Sequence, residues 1–200
     1  MQTSQAGIDL IKEFEGFESK AYPDPGTGGA PWTIGYGRAY GVKPGDIVTR
    51  AQAEEMLKED LRHFETAVSD LIKVQLTQNE FDALVSFTYN CGEGALGEST
   101  MRKRLNAGEV KCPVFREELP KWVNGGNGPL PGLVRRREAE AKLACTPHTG
   151  NVGKPQGEEG YLEQAAFYYE ALPHQTTAWR ALEACMTPEA LEVFNLIKLA

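Results

Sequence analysis

Apolar residues recur at helical spacing in the first segment of the chain. Ser4 is suited to cap the free backbone N–H groups of a helix, and Gly16 is suited to end one. With about 100° between successive residues, the apolar side chains between these two positions fall on one stripe; they are Ile8, Leu10, Ile11 and Phe14. The pattern predicts an amphipathic helix from Ser4 toward Gly16.

The next segment, AYPDPGTGGAPWTIGYGR at residues 21–38, contains too much Gly and Pro for a helix. Residues compatible with β-structure occur around Tyr22 and from Trp32 to Tyr36. We therefore expect a small antiparallel sheet with tight turns.

Two capping signals predict long helices further along. Thr49 and Gln52 have the spacing of a capping box, which indicates a helix from about residue 50 to near residue 71. Thr77 and Glu80 repeat the device before FDALVSFTYNCG, a segment that is apolar around most of its circumference. This second helix should end at Gly92 and lie at the centre of the fold.

Three further helical pieces are predicted after residue 99, separated by Gly, Asn and Pro: MRKRLNAG, FREELPKWVNGGNGPLPG and LVRRREAEAKLA. The fold class is therefore α+β and mainly helical, with a small N-terminal antiparallel sheet lobe and a larger helical lobe. We expect one domain at residues 1–146, a linker at 147–160 and a short helical extension at 161–200. The apolar and aromatic residues of this extension predict that it packs on the core or on a partner.

Composition limits the classes of function. Two hundred residues, 41% of them hydrophobic, are enough for one core with a small appendage. The net charge of −7 argues against a nucleic-acid binder. The first residues lack the basic start and the uninterrupted apolar run of a secretory signal. No apolar stretch is long enough to span a bilayer. The sequence thus predicts a protein without membrane insertion that accumulates in the host cytoplasm until a membrane lesion forms.

The cysteines and histidines give no pattern typical of a metal site. Cys91, Cys112, Cys145 and Cys185 lie far apart without a CxxC pair, and this favours small buried thiols over disulfides. The three histidines form neither HxxxH nor HExxH. We expect a protein with no metal and no cofactor.

Two carboxylates are the candidate chemistry. Glu15 falls between Ile11 and Ile8 on the apolar stripe, where a carboxyl group is either paired with a cation or kept neutral as a general acid. The alternative is a helix end that turns to solvent at Gly16. Asp24, within Pro-Asp-Pro-Gly, is either a turn former or a second carboxylate. Glycoside hydrolysis requires such a pair in contrasting environments.

The order of these residues resembles the phage-type lysozymes, glycoside hydrolase family 24. The resemblance rests on Glu15, eight intervening residues, Asp24 and then TIGYG at residues 33–37. Three helical blocks extend it over about residues 5–146: LTQNEFDALVSFTYNCGEGAL, STMRKRLNAGE and KWVNGGNGPLPGLVRRREAEAKL. It implies a lysozyme-like fold and hydrolysis of the β-1,4 bonds between N-acetylmuramic acid and N-acetylglucosamine in bacterial peptidoglycan, which causes host lysis.

The resemblance also implies roles for single residues. Glu15 corresponds to the proton donor, Asp24 to the second carboxylate, and Thr33 to the hydroxyl that helps to place water. In the helical lobe, three positions match those that face the saccharide: Tyr89, Asn90 and Thr100. Trp122 resembles a tryptophan of the packed core. The likeness to T-even phage lysozyme favours inversion of the anomeric configuration.

Several features leave alternatives open. Tyr36 and Trp32 could offer aromatic faces to sugar rings or belong to the core of the sheet. Arg135–Arg137 could bind anionic wall polymers, but a solvated, salt-bridged helix face is the simpler interpretation. Relative to the family, the loop between Asp24 and Thr33 carries extra residues. Arg38 stands where some relatives have a histidine, which leaves open the ion pair that ties the sheet to the helices.

Two other functions compete with hydrolysis. A lytic transglycosylase would use Glu15 alone and form an anhydro product. A wall-binding or tail-structural protein would keep the fold without catalysis, but such a module has no need for Glu15, Asp24 and Thr33 together. For the hydrolase we expect peptidoglycan as substrate, a separate holin for release, no nucleic-acid partner and a monomer.

Overall fold

The computed structural model of the protein describes residues 1–24, 27–125 and 128–146. The predicted linker at 147–160, the predicted helical extension at 161–200 and the state of Cys185 lie outside these residues. The described part of the chain contains no helix that is both long and apolar enough to cross a membrane.

Helices dominate the described residues, and two short antiparallel ladders accompany them, which confirms the predicted fold class. In chain order the elements are α1 (Gln5–Glu15), β1 (Glu18–Pro23), β2 (Trp32–Gly35), α2 (Arg50–Leu71), α3 (Gln78–Cys91), α4 (Glu93–Glu98), α5 (Thr100–Asn106), α6 (Lys111–Glu118), a 3₁₀ turn (Leu119–Lys121), β3 (Asn124–Gly125), β4 (Gly128–Pro129) and α7 (Pro131–Ala144). Helix α4 was not predicted, and the β3–β4 ladder lies within FREELPKWVNGGNGPLPG, so the helical prediction for that piece is wrong after the 3₁₀ turn.

The predicted antiparallel sheet is formed by β1 and β2. Tyr22 pairs with Thr33 and Pro23 with Trp32, and the register shifts toward the start of β1. The segment before α2 closes against β1, because the backbone N–H of Val48 donates to the carbonyl of residue 19. These contacts make the residues from β1 to about 48 one small lobe.

Helix α3 is the buried centre of the helical lobe, as its apolar circumference predicted. Phe81, Leu84, Val85 and Phe87 are each at most 1% exposed. Helices α1, α2 and α7 all pack against α3. Both predicted capping boxes, at Thr49 for α2 and at Thr77 for α3, are formed, and Gly92 ends α3.

The first helix has the predicted bounds, but Ser4 does not cap it as predicted. The hydroxyl of Ser4 caps no backbone N–H of α1; it donates instead to the carboxylate of Asp82 on α3. At Gly7 the two helices approach closely, since a Cβ there would lie 2.8 Å from the Asp82 side chain. Tertiary contact with α3 thus replaced the local cap expected from the sequence.

Cys112 and Cys145 form a disulfide, so the prediction of free thiols is wrong for this pair. The two cysteines are 33 residues apart, so their spacing gave no sign of the pairing. In the fold the start of α6 lies against the end of α7, and the two Cα atoms are 5.1 Å apart. Cys91, at the end of α3, is a free thiol as predicted.

Candidate active site

Glu15 is the last residue of α1, immediately before the turn at Gly16. Its side chain is 22% exposed, and its Oε1 atom lies 2.6 Å from Nη1 of Arg136 on α7. The sequence left open whether Glu15 is paired with a cation or turned to solvent at the helix end. The structure shows a half-buried Glu15 that is paired with a cation.

Two of the three arginines in the run on α7 are buried, so the predicted solvated face is wrong for Arg136 and Arg137, whereas Arg135 is exposed as that interpretation expected. Arg136 and Arg137 are 3% and 0% exposed, and both pair with the fully buried Glu140, at 3.2 Å and 2.9 Å. Ser86 on α3 donates to the same carboxylate at 2.7 Å. The helical spacing of residues 136, 137 and 140 turns all three toward α3, since α7 packs there.

This buried network fixes the partner of Glu15. Burial raises the pKa of Glu140, while the guanidinium groups of Arg137 and Arg136 oppose that shift. Arg136 also donates to the backbone carbonyl of Ser86 at 3.2 Å. Bonds to a carboxylate and to a helix backbone hold the guanidinium group in one orientation, facing Glu15.

A cleft of about 690 Å³ opens beside Glu15. It lies between the sheet lobe and helices α2 and α3, and its lining includes the predicted residues Glu15, Tyr89 and Asn90. At Gly37 the sheet lobe approaches the acid so closely that a Cβ there would lie 3.5 Å from Glu15 Oε2. The structure thus brings three of the predicted site residues to one opening.

Tyr89 and Asn90 are both anchored beneath this cleft. The phenol of Tyr89 donates to the backbone carbonyl of Tyr36 at 2.8 Å. Burial and the charge of Glu15 raise the pKa of Tyr89, so its hydroxyl remains a donor at neutral pH. Asn90 accepts from Arg137 at 2.9 Å through Oδ1. Both side chains are therefore oriented by bonds to the surrounding protein.

Asp24 and Thr33 belong to the sheet lobe. Asp24 directly follows β1, and its Oδ1 atom accepts from the backbone N–H of Thr27 at 2.9 Å, as a turn-forming aspartate does. Thr33 is half-buried in β2, opposite Tyr22. Among the described residues, neither is part of the lining of the cleft at Glu15.

Three other predicted positions lie in different surroundings. Tyr36 is only 5% exposed and packs on Phe17, with ring centroids 5.5 Å apart, which supports the core interpretation of this residue. Thr100 is an exposed residue at the start of α5 and does not line the cleft. Trp122 packs edge-on against Phe87 of the core, as the resemblance implied.

The opposite wall of the cleft comes from α2 residues that the sequence reasoning missed and from Arg38, whose ion pair with the helices the sequence left open. Arg38 pairs with Glu59 at 3.0 Å and with Asp60 at 3.7 Å, and thereby ties the sheet lobe to α2. Burial raises the pKa of Asp60, and Arg38 opposes this shift. His63 and Phe64, one turn further along α2, complete the wall. Asp60, His63 and Phe64 have the i, i+3 and i+4 spacing that places side chains on one face of a helix. This spacing is the signal that could have identified them.

Comparisons with known proteins show the family to which the chain is similar. A family model described as phage lysozyme matches residues 12–140. The endolysin of Bacillus phage B103 is 45% identical over 156 residues, which cover 77% of this chain and 58% of the relative. The chain thus spans about three-fifths of that relative.

A second relative is covered almost completely. The endolysin of Acyrthosiphon pisum secondary endosymbiont phage 1 is 41% identical over 147 residues, 72% of this chain and 97% of the relative. Among solved structures, the muramidase domain of SpmX from Asticaccaulis excentricus has a TM-score of 0.66 and 39% identity. That match covers 73% of this chain and 99% of the domain.

Proposed function

Because the chain belongs to the phage lysozyme family, we propose that it is an endolysin that hydrolyses bacterial peptidoglycan as a muramidase. The bond cleaved is the β-1,4 bond between N-acetylmuramic acid and N-acetylglucosamine. The observation that carries this proposal is the half-buried carboxyl group of Glu15, fixed by Arg136 at the edge of a cleft large enough for saccharide units.

In this mechanism Glu15 is the general acid. It gives its proton to the leaving glycosidic oxygen, and the oxygen of a water molecule bonds to the anomeric carbon. The ion pair with Arg136 holds the carboxyl group in place.

Asp24 and Thr33 are proposed to place and activate the water, and Asp24 accepts the proton that this water loses. The support is the resemblance of their spacing to the phage lysozymes; in the structure Asp24 follows β1 and Thr33 lies in β2, outside the lining of the cleft at Glu15. A water fits between two carboxyl groups about 6.5–9.5 Å apart, and this spacing gives inversion, whereas about 5–5.5 Å gives retention. We propose inversion, and the anomer first formed, followed by NMR, is the test.

The proposal is tested by Glu15→Gln, which keeps the shape of the side chain and removes the acid. Loss of general acid catalysis should lower the rate of clearing of chloroform-treated Gram-negative cells by about 10²–10⁴-fold. The matched control is Glu13→Gln, since Glu13 is an exposed carboxyl group on the same helix. Near-normal lysis by folded Glu15→Gln protein would contradict the assignment.

The chemistry of the product separates hydrolysis from the competing cleavage. A hydrolase creates a new reducing end for each bond broken, whereas a lytic transglycosylase creates an anhydro-muramyl end. Reducing-end titration and mass spectrometry of the released fragments distinguish the two. Anhydro ends alone would replace the hydrolase proposal with a transglycosylase.

We further propose that a separate holin gives the folded monomer access to the wall. In the folded lobe Thr3 donates to Glu65 at 2.7 Å, and Ile8 and Ile11 are core residues. Expression alone should leave host cells intact, and permeabilisation should then cause lysis. Lysis on expression alone would contradict this route, and light scattering of the purified protein tests the monomer.

A further inference from the structure

Tyr40 is the most exposed large apolar side chain among the described residues, at 87%. It lies in the segment between β2 and α2, at the edge of the cleft that contains Glu15. An aromatic ring that contributes so little to the core and stands beside a cleft is a candidate for contact with a ligand.

A second groove of about 330 Å³ lies next to the cleft. Its lining includes the apolar side chains of Ile34, Ile47 and Met56, while Asp46 adds a carboxylate. Arg38 and Tyr40 line both the groove and the cleft. The two openings therefore adjoin each other at these two side chains.

The backbone before Tyr40 is held in place. Ile34 and Arg38 exchange two backbone hydrogen bonds, of 2.9 Å and 3.1 Å, which close the turn after β2. The Arg38 side chain is in turn tied to Glu59 on α2 at 3.0 Å. The Tyr40 ring therefore follows a turn that is fixed by backbone hydrogen bonds and an ion pair, and it lies where the two openings meet.

The chemistry of this boundary suits a sugar. A pyranose ring presents C–H groups on its faces and hydroxyl or amide groups on its edges. The Tyr40 ring and the apolar lining side chains suit the faces, while Arg38 and Asp46 offer a donor and an acceptor to the edges. The volume of the groove lies at the lower end of the range for small-ligand sites, about 300–1,000 Å³.

We propose that Tyr40 is a saccharide-binding residue on which the glycan strand passes from the cleft at Glu15 into the second groove. The groove then accepts a further sugar unit beyond those at the scissile bond. This inference rests on the proposed function, because it takes the glycan strand as substrate. It assigns to Tyr40 a role in binding and none in the chemical step.

The test uses the full chain and peptide-free glycan strands, prepared from peptidoglycan with an amidase. Tyr40→Ala should raise KM for these strands about tenfold, equivalent to about 1.4 kcal/mol, with kcat little changed. Tyr40→Phe, which retains the ring, should behave like the wild type. Val110→Ala is the matched control, since Val110 is 63% exposed and lines neither opening.

Binding measured without turnover completes the test. In a Glu15→Gln background, Tyr40→Ala should weaken binding of long strands and leave binding of the disaccharide fragment unchanged. Equal KM for Tyr40→Ala and wild type, an effect on kcat alone, or a defect confined to strands that carry peptide stems would each overturn the inference. Failure of the proposed function is distinguishable, because the wild type itself would then produce no new reducing ends.

Discussion

Loss of the Cys112–Cys145 disulfide should destabilise the protein without preventing folding. The bridge closes a loop of 33 residues, and restricting such a loop in the unfolded chain is worth about 3.7 kcal/mol at room temperature on the chain-entropy relation. Helices α6 and α7 also pack against each other, so their interface remains when the bridge is broken. For a chain of this size the loss corresponds to a decrease in Tm of roughly 7–15 °C.

Thermal unfolding, followed by circular dichroism, measures this effect. The double variant Cys112→Ala/Cys145→Ala and the wild type in reductant should both melt below the oxidised wild type. Cys91→Ala is the control, since Cys91 is a free thiol, and it should retain the response to reductant. Thiol titration of the denatured protein should find two more thiols after reduction. Identical melting with and without reductant, in protein shown to carry the bridge, would refute the reasoning.

Three further perturbations test the site and its support. Gly37→Ala should cost roughly 1–3 kcal/mol, because Gly37 has a φ of +98°. It should also lower activity, because the new Cβ would lie 3.2 Å from the hydroxyl oxygen of Tyr89, a tight contact beside Glu15. Urea unfolding and turbidity assays measure the two effects, and wild-type values in both would contradict the crowding argument. Glu140→Ala should cost about 3–5 kcal/mol, since it leaves two buried guanidinium groups without their carboxylate; a loss below about 1 kcal/mol in urea would show that the network is not a structural requirement. The hydrogen bond from Lys12 lowers the pKa of Glu54. The stabilisation of the fold by this ion pair is therefore present above the ordinary glutamate pKa of about 4.5, and it is lost as the pH falls through the lower pKa that Glu54 has in the folded protein. The stability difference between wild type and Glu54→Gln should therefore shrink in acid, and a difference independent of pH would contradict the assigned pair.

The parts of the fold that follow local rules could be predicted from the sequence. The capping boxes at Thr49 and Thr77 and the stop at Gly92 use backbone bonds within a few residues, so their signals are complete in a short window. Ser4 shows the limit of such reasoning. Its hydroxyl could bond either to a backbone N–H of α1 or to the carboxylate of Asp82 on α3. Because α1 packs on α3, the bond to Asp82 forms.

The sequence placed Glu15, Tyr89 and Asn90 in the candidate site, and all three line the cleft, but it did not reveal the partner of Glu15 or the wall formed by α2. The position of Glu15 on the apolar stripe indicated a carboxyl group with restricted access to water. Its partner Arg136 is 121 residues away, and a run of arginines has the same local pattern whether it is solvated or buried. Arg38 and Asp60 belong to different lobes, so only the closure of the sheet onto α2 brings them together.

Glu15 lies where three distant segments of the chain meet. Helix α1 supplies the carboxyl group, Gly37 brings the backbone of the sheet lobe close to it, and Arg136 supplies the opposing charge from α7. The orientation of Arg136 depends in turn on Glu140 and on the packing of α7 against α3. A change that loosens α7 alters the charge beside the acid even where it touches no substrate. Positioning of the Glu15 carboxyl group is therefore a property of the whole helical lobe rather than of the cleft residues alone.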